Sequence, residues 1–154
     1  MRGKTFIAAA AALAFALAAS PALADDHATR DEAIAMVKKG VALVKSEGPD
    51  KAYAAFDDKA NADFHAKDLY LFAYNLSGTC LAHGTNPKLV GKDMNDAQDS
   101  DGVYYIKERM KLAQAQASFW QDYKFTNPIS KKIEPKTSYC EKVDNSIVCG
   151  GIYK

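Results

Sequence analysis

Asp68-Leu69-Tyr70-Leu71-Phe72-Ala73-Tyr74-Asn75 is the stretch whose reading decides the fold. Its side chains repeat with a period of 2: Tyr70, Phe72 and Tyr74 share one face, Leu69, Leu71 and Ala73 the other. Both faces are apolar, so this strand is covered on both sides and central in its sheet. Ser77-Gly78 turns the chain and residues 79–83 return beside it. Residues 84–102 are rich in Asn, Asp, Gly and Pro and predict a long irregular loop, which in a compact domain is usually functional. Val103, Ile106, Met110, Ala113 and Ala117 then step at helical spacing through about four turns. A strand over 118–127 sets Phe119, Tyr123 and Phe125 opposite Trp120, Asp122 and Lys124. Residues 133–143 and 146–153 form a closing hairpin bent at Asp144-Asn145.

Upstream of that decisive strand the period is 3.6. Thr29-Arg30-Asp31-Glu32 has capping-box spacing, and Ile34, Val37, Val41 and Val44 follow on one helical face. Gly48-Pro49 stops this helix and starts a second carrying Tyr53 and Phe56, so 29–60 reads as a helical lead-in to a sheet region at 65–154. The order helix, two strands, helix, three strands, with short turns between strands, predicts an α+β fold on an antiparallel sheet.

The 154 residues fit one domain, and 20 basic against 19 acidic side chains leave no charge excess to hold nucleic acid. Arg2 and Lys4 precede an apolar run from Phe6 to Ala19, followed by Ser20-Pro21 and the small-x-small site Ala22-Leu23-Ala24. This reads as a secretory signal peptide over 1–24, with a retained anchor as the rival reading. The expected product, 25–154, is periplasmic or secreted and has no membrane span after cleavage.

Export permits a disulfide. A hairpin folded symmetrically about Asp144-Asn145 sets Cys140 opposite Cys149, in a non-hydrogen-bonded pair with Cα atoms about 4.5 Å apart, close enough to bond. Cys80 is left over and reads as a small buried hydrophobe. Cys80 and His83, three apart on a strand, point to opposite faces and share no ion unless a bulge intervenes. Cleavage after Ala24 would expose Asp25-Asp26-His27, whose amine, amides and imidazole suit Cu(II); copper or haem handling through His27 or His83 is therefore the runner-up function. No haem-attachment motif, zinc spacing, nucleophile elbow or phosphate loop is present, so neither a cofactor nor an enzyme is expected.

The second half carries the positive signal. Residues 118–124 and 135–139 bring tyrosine hydroxyls and the Lys136 amine onto neighbouring strands, a combination that suits a small carboxylate. Lys136 and Tyr139 are three apart, which sets them on opposite faces unless Pro135 marks a bulge. Gly150-Gly151 predicts close backbone packing or room for a ligand.

At these residues the sequence resembles the Cache family, in particular the single-Cache type-2 sensor domains of bacteria. The matching stretches are Tyr70–Asn75, Gly78–Gly84, Asn86-Pro87-Lys88-Leu89-Val90-Gly91-Lys92, Trp120–Tyr123, Pro135-Lys136-Thr137-Ser138-Tyr139 and Gly150–Tyr153. The resemblance implies a PAS-like, five-stranded antiparallel sheet with the long helix on one face and a short helix plus loop on the other. It implies a pocket for a small organic ligand, drawing on Phe72, Tyr74, His83, Trp120, Tyr123, Lys136 and Tyr139. Most such domains sit between two membrane helices and feed a chemoreceptor, kinase or cyclase. Here the last strand ends near Lys154, so the expectation is a free-standing domain that passes its occupancy to a membrane receptor or kinase. A third reading is a structural module that forms a homodimer through the 29–47 helix without a ligand.

Overall fold

The structure, a computed structural model, describes residues 26–154. The expected leader peptide and its cleavage site lie outside the described residues.

Helix α1 (Arg30–Glu47) begins at the predicted capping box: the Glu32 amide donates to Thr29 Oγ1 at 3.2 Å and the Thr29 amide to Glu32 Oε2 at 2.7 Å. It ends at Gly48, whose φ of 87° is open to glycine at little cost, and Pro49 opens α2 (Pro49–Asp57). The buried face of α1 runs through Ala33, Val37, Val41 and Val44. Ile34, expected on that face, is only half-buried. Gly40 explains the rotation: a Cβ there would stand 2.6 Å from Leu71 Cδ1, so the helix lies down on the sheet along this glycine. Each aliphatic side chain buried on this seam contributes about 1.5–3 kcal/mol.

The sheet contains β1 (His65–Ala66), β2 (Leu69–Asn75), β3 (Cys80–His83), β4 (Ser118–Thr126), β5 (Ile133–Val143) and β6 (Ser146–Tyr153). Its order is β1-β2-β6-β5-β4, with β3 also paired to β2, and every pairing is antiparallel. The two-residue β1 is an addition to the predicted set of strands. Too short to show a period, it is held by pairing to the start of β2.

Six of the seven β2 residues are buried, as a central strand requires. Leu69, Leu71 and Ala73 join the core under α1, whereas Tyr70, Phe72 and Tyr74 join a second core on the other face. That second core is roofed by α3 (Tyr105–Ala115) through Tyr105, Ile106, Met110 and Ala113. The helix is shorter than predicted: Val103 precedes it, and Ala117 is exposed beyond its end. The 84–104 segment is irregular apart from a 3-10 turn at Pro87–Leu89. Backbone bonds from Gly91 to Cys80 (2.8 Å) and from Met94 to Gly78 (3.0 Å) tie it along the sheet. The chain is thus α+β: one long helix on one face of an antiparallel sheet, a loop and short helix on the other.

The closing hairpin has the predicted register. Cys140 pairs with Cys149 across β5 and β6, their Cα atoms are 4.1 Å apart, and they form a disulfide. Cys80 is a buried free thiol whose burial pushes it up to about 11, so it stays protonated and unreactive near neutrality. Ahead of α1, Asp68 is fully buried in the β1–β2 turn and ties down the preceding chain. It accepts from the Ala28 amide at 2.8 Å and meets His27 Nδ1 at 2.8 Å.

Candidate functional site

The face of the sheet opposite α1 carries two buried cations. Lys136 enters from β5 and is 1% exposed; Arg109 comes down from α3 and is also 1% exposed. Lys136 Nζ donates to Tyr70 Oη at 2.9 Å and stands 4.1 Å from the Tyr70 ring centre and 4.9 Å from that of Tyr153. Tyr70 Oη lies 3.4 Å from Tyr153 Oη, which donates onward to the Thr126 carbonyl at 2.7 Å. Room for the lysine stem comes from Gly151 on β6. A Cβ there would fall 2.4 Å from Lys136 Cε and 2.2 Å from Ser138 Oγ. Gly150 faces the other way, against Leu71 and Val37 under α1. The glycine pair therefore serves both faces of the sheet.

Arg109 is held by one arm. Its Nε donates to Gln121 Oε1 at 2.8 Å, and Gln121 Nε2 donates to the Tyr105 carbonyl at 2.7 Å. The guanidinium lies 4.9 Å from the Tyr123 ring centre, 5.0 Å from Phe72 and 5.4 Å from Tyr74. Such ring faces attract a cation but accept no conventional hydrogen bond. Arg109 Nη2 is buried with no hydrogen-bond partner. Among the described residues no carboxylate stands within ion-pair distance of Arg109 or Lys136.

His83 stacks on Phe72 at 5.8 Å and also faces Tyr70 and Phe125. The Asn86 amide donates to His83 Nδ1 at 3.1 Å, so the ring proton sits on Nε2. Burial, then the fields of Lys136 and Arg109, lower its pKa to about 3. Burial first and Arg109 second also hold the Lys136 amine well below the ordinary lysine value, while Asp68 opposes them. Burial pushes the Tyr70 and Tyr74 hydroxyls above their ordinary range. Every one of these shifts disfavours a charge on its group, as burial away from solvent does; the positive field of Arg109 adds to that effect at His83 and Lys136 and opposes it at Tyr70 and Tyr74.

Phe72, Tyr74, His83, Tyr123 and Lys136 are thus brought together as expected. Trp120 and Tyr139 are not: both lie on the α1 side, with ring centres 5.3 Å apart. Arg30 covers Trp120 at 3.7 Å, and the Tyr139 hydroxyl donates to Glu141 at 2.6 Å. The reason is strict alternation. The pairing of β5 with β4 and β6 runs unbroken from Lys136 to Tyr139, so Pro135 brings no bulge that re-aims either side chain. A bulge does occur in β3, where Tyr74 pairs with Cys80 and Ala73 with Ala82. It brings Cys80 and His83 to the same side, contrary to simple alternation. His27, the copper candidate, is bound to Asp68 through Nδ1. Among the described residues no three His, Cys, Asp or Glu side chains gather to hold a metal ion.

A cleft of about 430 Å³ opens beside the cluster, lined by His65, Gly84, Thr85, Asn86, Phe125 and Thr126 among others. Phe125 is the wall between cleft and interior: its ring is 5.7 Å from His83 and 5.4 Å from Lys136 Nζ. Arg109, Tyr70, Phe125 and Tyr153 were not among the expected site residues. For Arg109 a signal existed, since it sits inside the stripe Tyr105-Ile106-Arg109-Met110-Ala113, where a solvated charge does not belong.

The model of the family described as Single Cache domain 2 matches residues 18–153. The chain belongs to this Cache family. Its structure is similar to that of a methyl-accepting chemotaxis protein from Vibrio parahaemolyticus, with 25% identity and a TM-score of 0.69 over 80% of this chain and 87% of that one. A periplasmic sensor domain of a chemotaxis protein follows at 23% identity and TM-score 0.63, over 80% and 88% of the two chains. A Cache chemosensory domain whose structure concerns carboxylic acid recognition matches at 20% identity and TM-score 0.63, over 77% and 84%. At these lower identities the likeness is one of fold. Cache domains are extracytoplasmic sensor and ligand-binding domains, and in this one no described helix is long and apolar enough to cross a membrane.

Proposed function

We propose that this Cache domain is a periplasmic or secreted sensor of small organic carboxylates that reports its occupancy to a separate membrane receptor or kinase. One observation carries the reading: two cations are fully buried among aromatic rings, and Arg109 Nη2 lacks any partner. A buried charge without a counter-charge costs several kcal/mol, and a fold retains one where a ligand supplies the missing group. A carboxylate matches the planar donor geometry of a guanidinium. The similarity of fold to a domain studied for carboxylic acid recognition supports the same ligand class. Access runs through the cleft and past Phe125, with Tyr70, Tyr74, Tyr123 and His83 lining the destination.

Thermal unfolding of the purified protein against acetate, propionate, lactate and other small acids tests this. At a concentration 100 times the dissociation constant a ligand adds about 2.7 kcal/mol of stability. The shift is expected to persist in Tyr139→Phe, on the far side of the sheet, and to vanish in Arg109→Gln. An equal shift in both variants, or none in wild type with any small acid, contradicts the reading.

A further inference from the structure

The two basic side chains occupy different places in the aromatic core between the sheet and α3. Lys136 sits toward the cleft, on the hydrogen-bond series Tyr70–Tyr153–Thr126 carbonyl, and Thr126 itself lines the cleft. Arg109 sits under α3, on the series Gln121–Tyr105 carbonyl. No hydrogen bond joins the two sets. What the cations share is ring surface: the centre of the Phe72 ring lies 5.0 Å from the guanidinium carbon and 5.1 Å from the lysine nitrogen. A short molecule lying along Phe72 therefore reaches both.

A lone carboxylate placed on Arg109 takes up the orphaned Nη2 and leaves Lys136 with a tyrosine hydroxyl and ring faces. Placed on Lys136, it leaves Nη2 unpartnered. An unmatched polar group in a dry interior keeps its desolvation penalty, so a ligand that satisfies both ends outcompetes one that satisfies either. The ring faces shared by the two ends, those of Phe72 and Tyr123, are apolar, which suits a hydrocarbon middle rather than a polar one.

We infer that the ligand taken up among these aromatic side chains is a short dicarboxylate held end to end, one carboxylate on Arg109 and the other on Lys136 beside Tyr70. The inference rests on the carboxylate-sensing reading and specifies its ligand class. In it Lys136 determines specificity: it recognises the second acid group, while Arg109 binds the first in either kind of ligand.

Isothermal titration of the purified wild-type protein with malonate, succinate and glutarate, beside propionate, butyrate and valerate, tests it. At least one dicarboxylate is expected to bind about tenfold or more tighter than the monocarboxylate of equal carbon number, about 1.4 kcal/mol. Lys136→Met is expected to abolish that preference, with a circular dichroism spectrum like that of wild type reporting an intact fold. Monocarboxylates that bind wild type as tightly as the matched dicarboxylates overturn the inference and leave carboxylate sensing standing. A preference that survives in Lys136→Met also overturns it. If no acid of either series binds, both readings fall together. If Lys136→Met does not fold, the wild-type comparison decides alone.

Discussion

Gly151 shows how much of this site is a matter of single atoms. The added methyl of Gly151→Ala would press on Lys136 Cε and Ser138 Oγ, both within 2.4 Å of its ideal position. Both side chains are buried, so the lysine has to leave its place beside Tyr70. The expected cost is about 1–3 kcal/mol, read as a lower unfolding midpoint in denaturant. Gly150→Ala meets nothing closer than 3.2 Å and is expected to cost less. A Gly150→Ala change as damaging as Gly151→Ala would contradict this account. At this scale the sequence was only partly legible. Lys136 stood out because it lies among tyrosines on a hairpin. Arg109 was hidden by the ordinary expectation that helix charges face water. Trp120 and Tyr139 were drawn in by likeness of motif, although the alternation of β4 and β5 had already set them on the other face.

The elements were far more legible than the site. Strong periodicity in β2, a symmetric turn at Asp144-Asn145 and the Thr29–Glu32 box each state their structure locally, and the structure agrees with all three. What escaped was set by neighbours: β1 exists only through its pairing with β2, and the β3 bulge has no local marker in Cys80-Leu81-Ala82-His83. The disulfide belongs to this scale too. It closes a ring of nine-residue separation within a hairpin already registered from Lys136 to Val143. Its removal in Cys140→Ala/Cys149→Ala is expected to cost about 2–3 kcal/mol in loop entropy, with a further small cavity term. The circular dichroism of the sheet should stay as in wild type. Loss of that signal would show that the bond, not the turn, sets the register.

Across the whole molecule the sheet divides two cores of different character, largely aliphatic under α1 and largely aromatic with buried cations under α3. That second core makes stability depend on pH. His83 titrates near 3 in the folded chain against about 6.5 unfolded, so between these values the unfolded state binds more protons. Stability contributed by the neutral ring is therefore complete above about 6.5 and is lost as the pH falls toward 3. The groups around it are Tyr70, Phe72 and Phe125, with Lys136 and Arg109 supplying the repelling field. Lys136, also lowered, acts in the same direction at higher pH. Unfolding free energies of wild type and His83→Asn between pH 7 and 4 check this: the wild type should lose more. Equal losses would remove His83 as a source.

Because successive residues of β2 serve opposite cores, its length is constrained more tightly than its composition. One residue inserted or deleted within Leu69–Asn75 would turn Tyr70, Phe72 and Tyr74 toward α1 and bring leucines up beneath the cations. Exchanging single side chains leaves that division of labour in place, but a frame slip there would forfeit foundation and roof at one stroke.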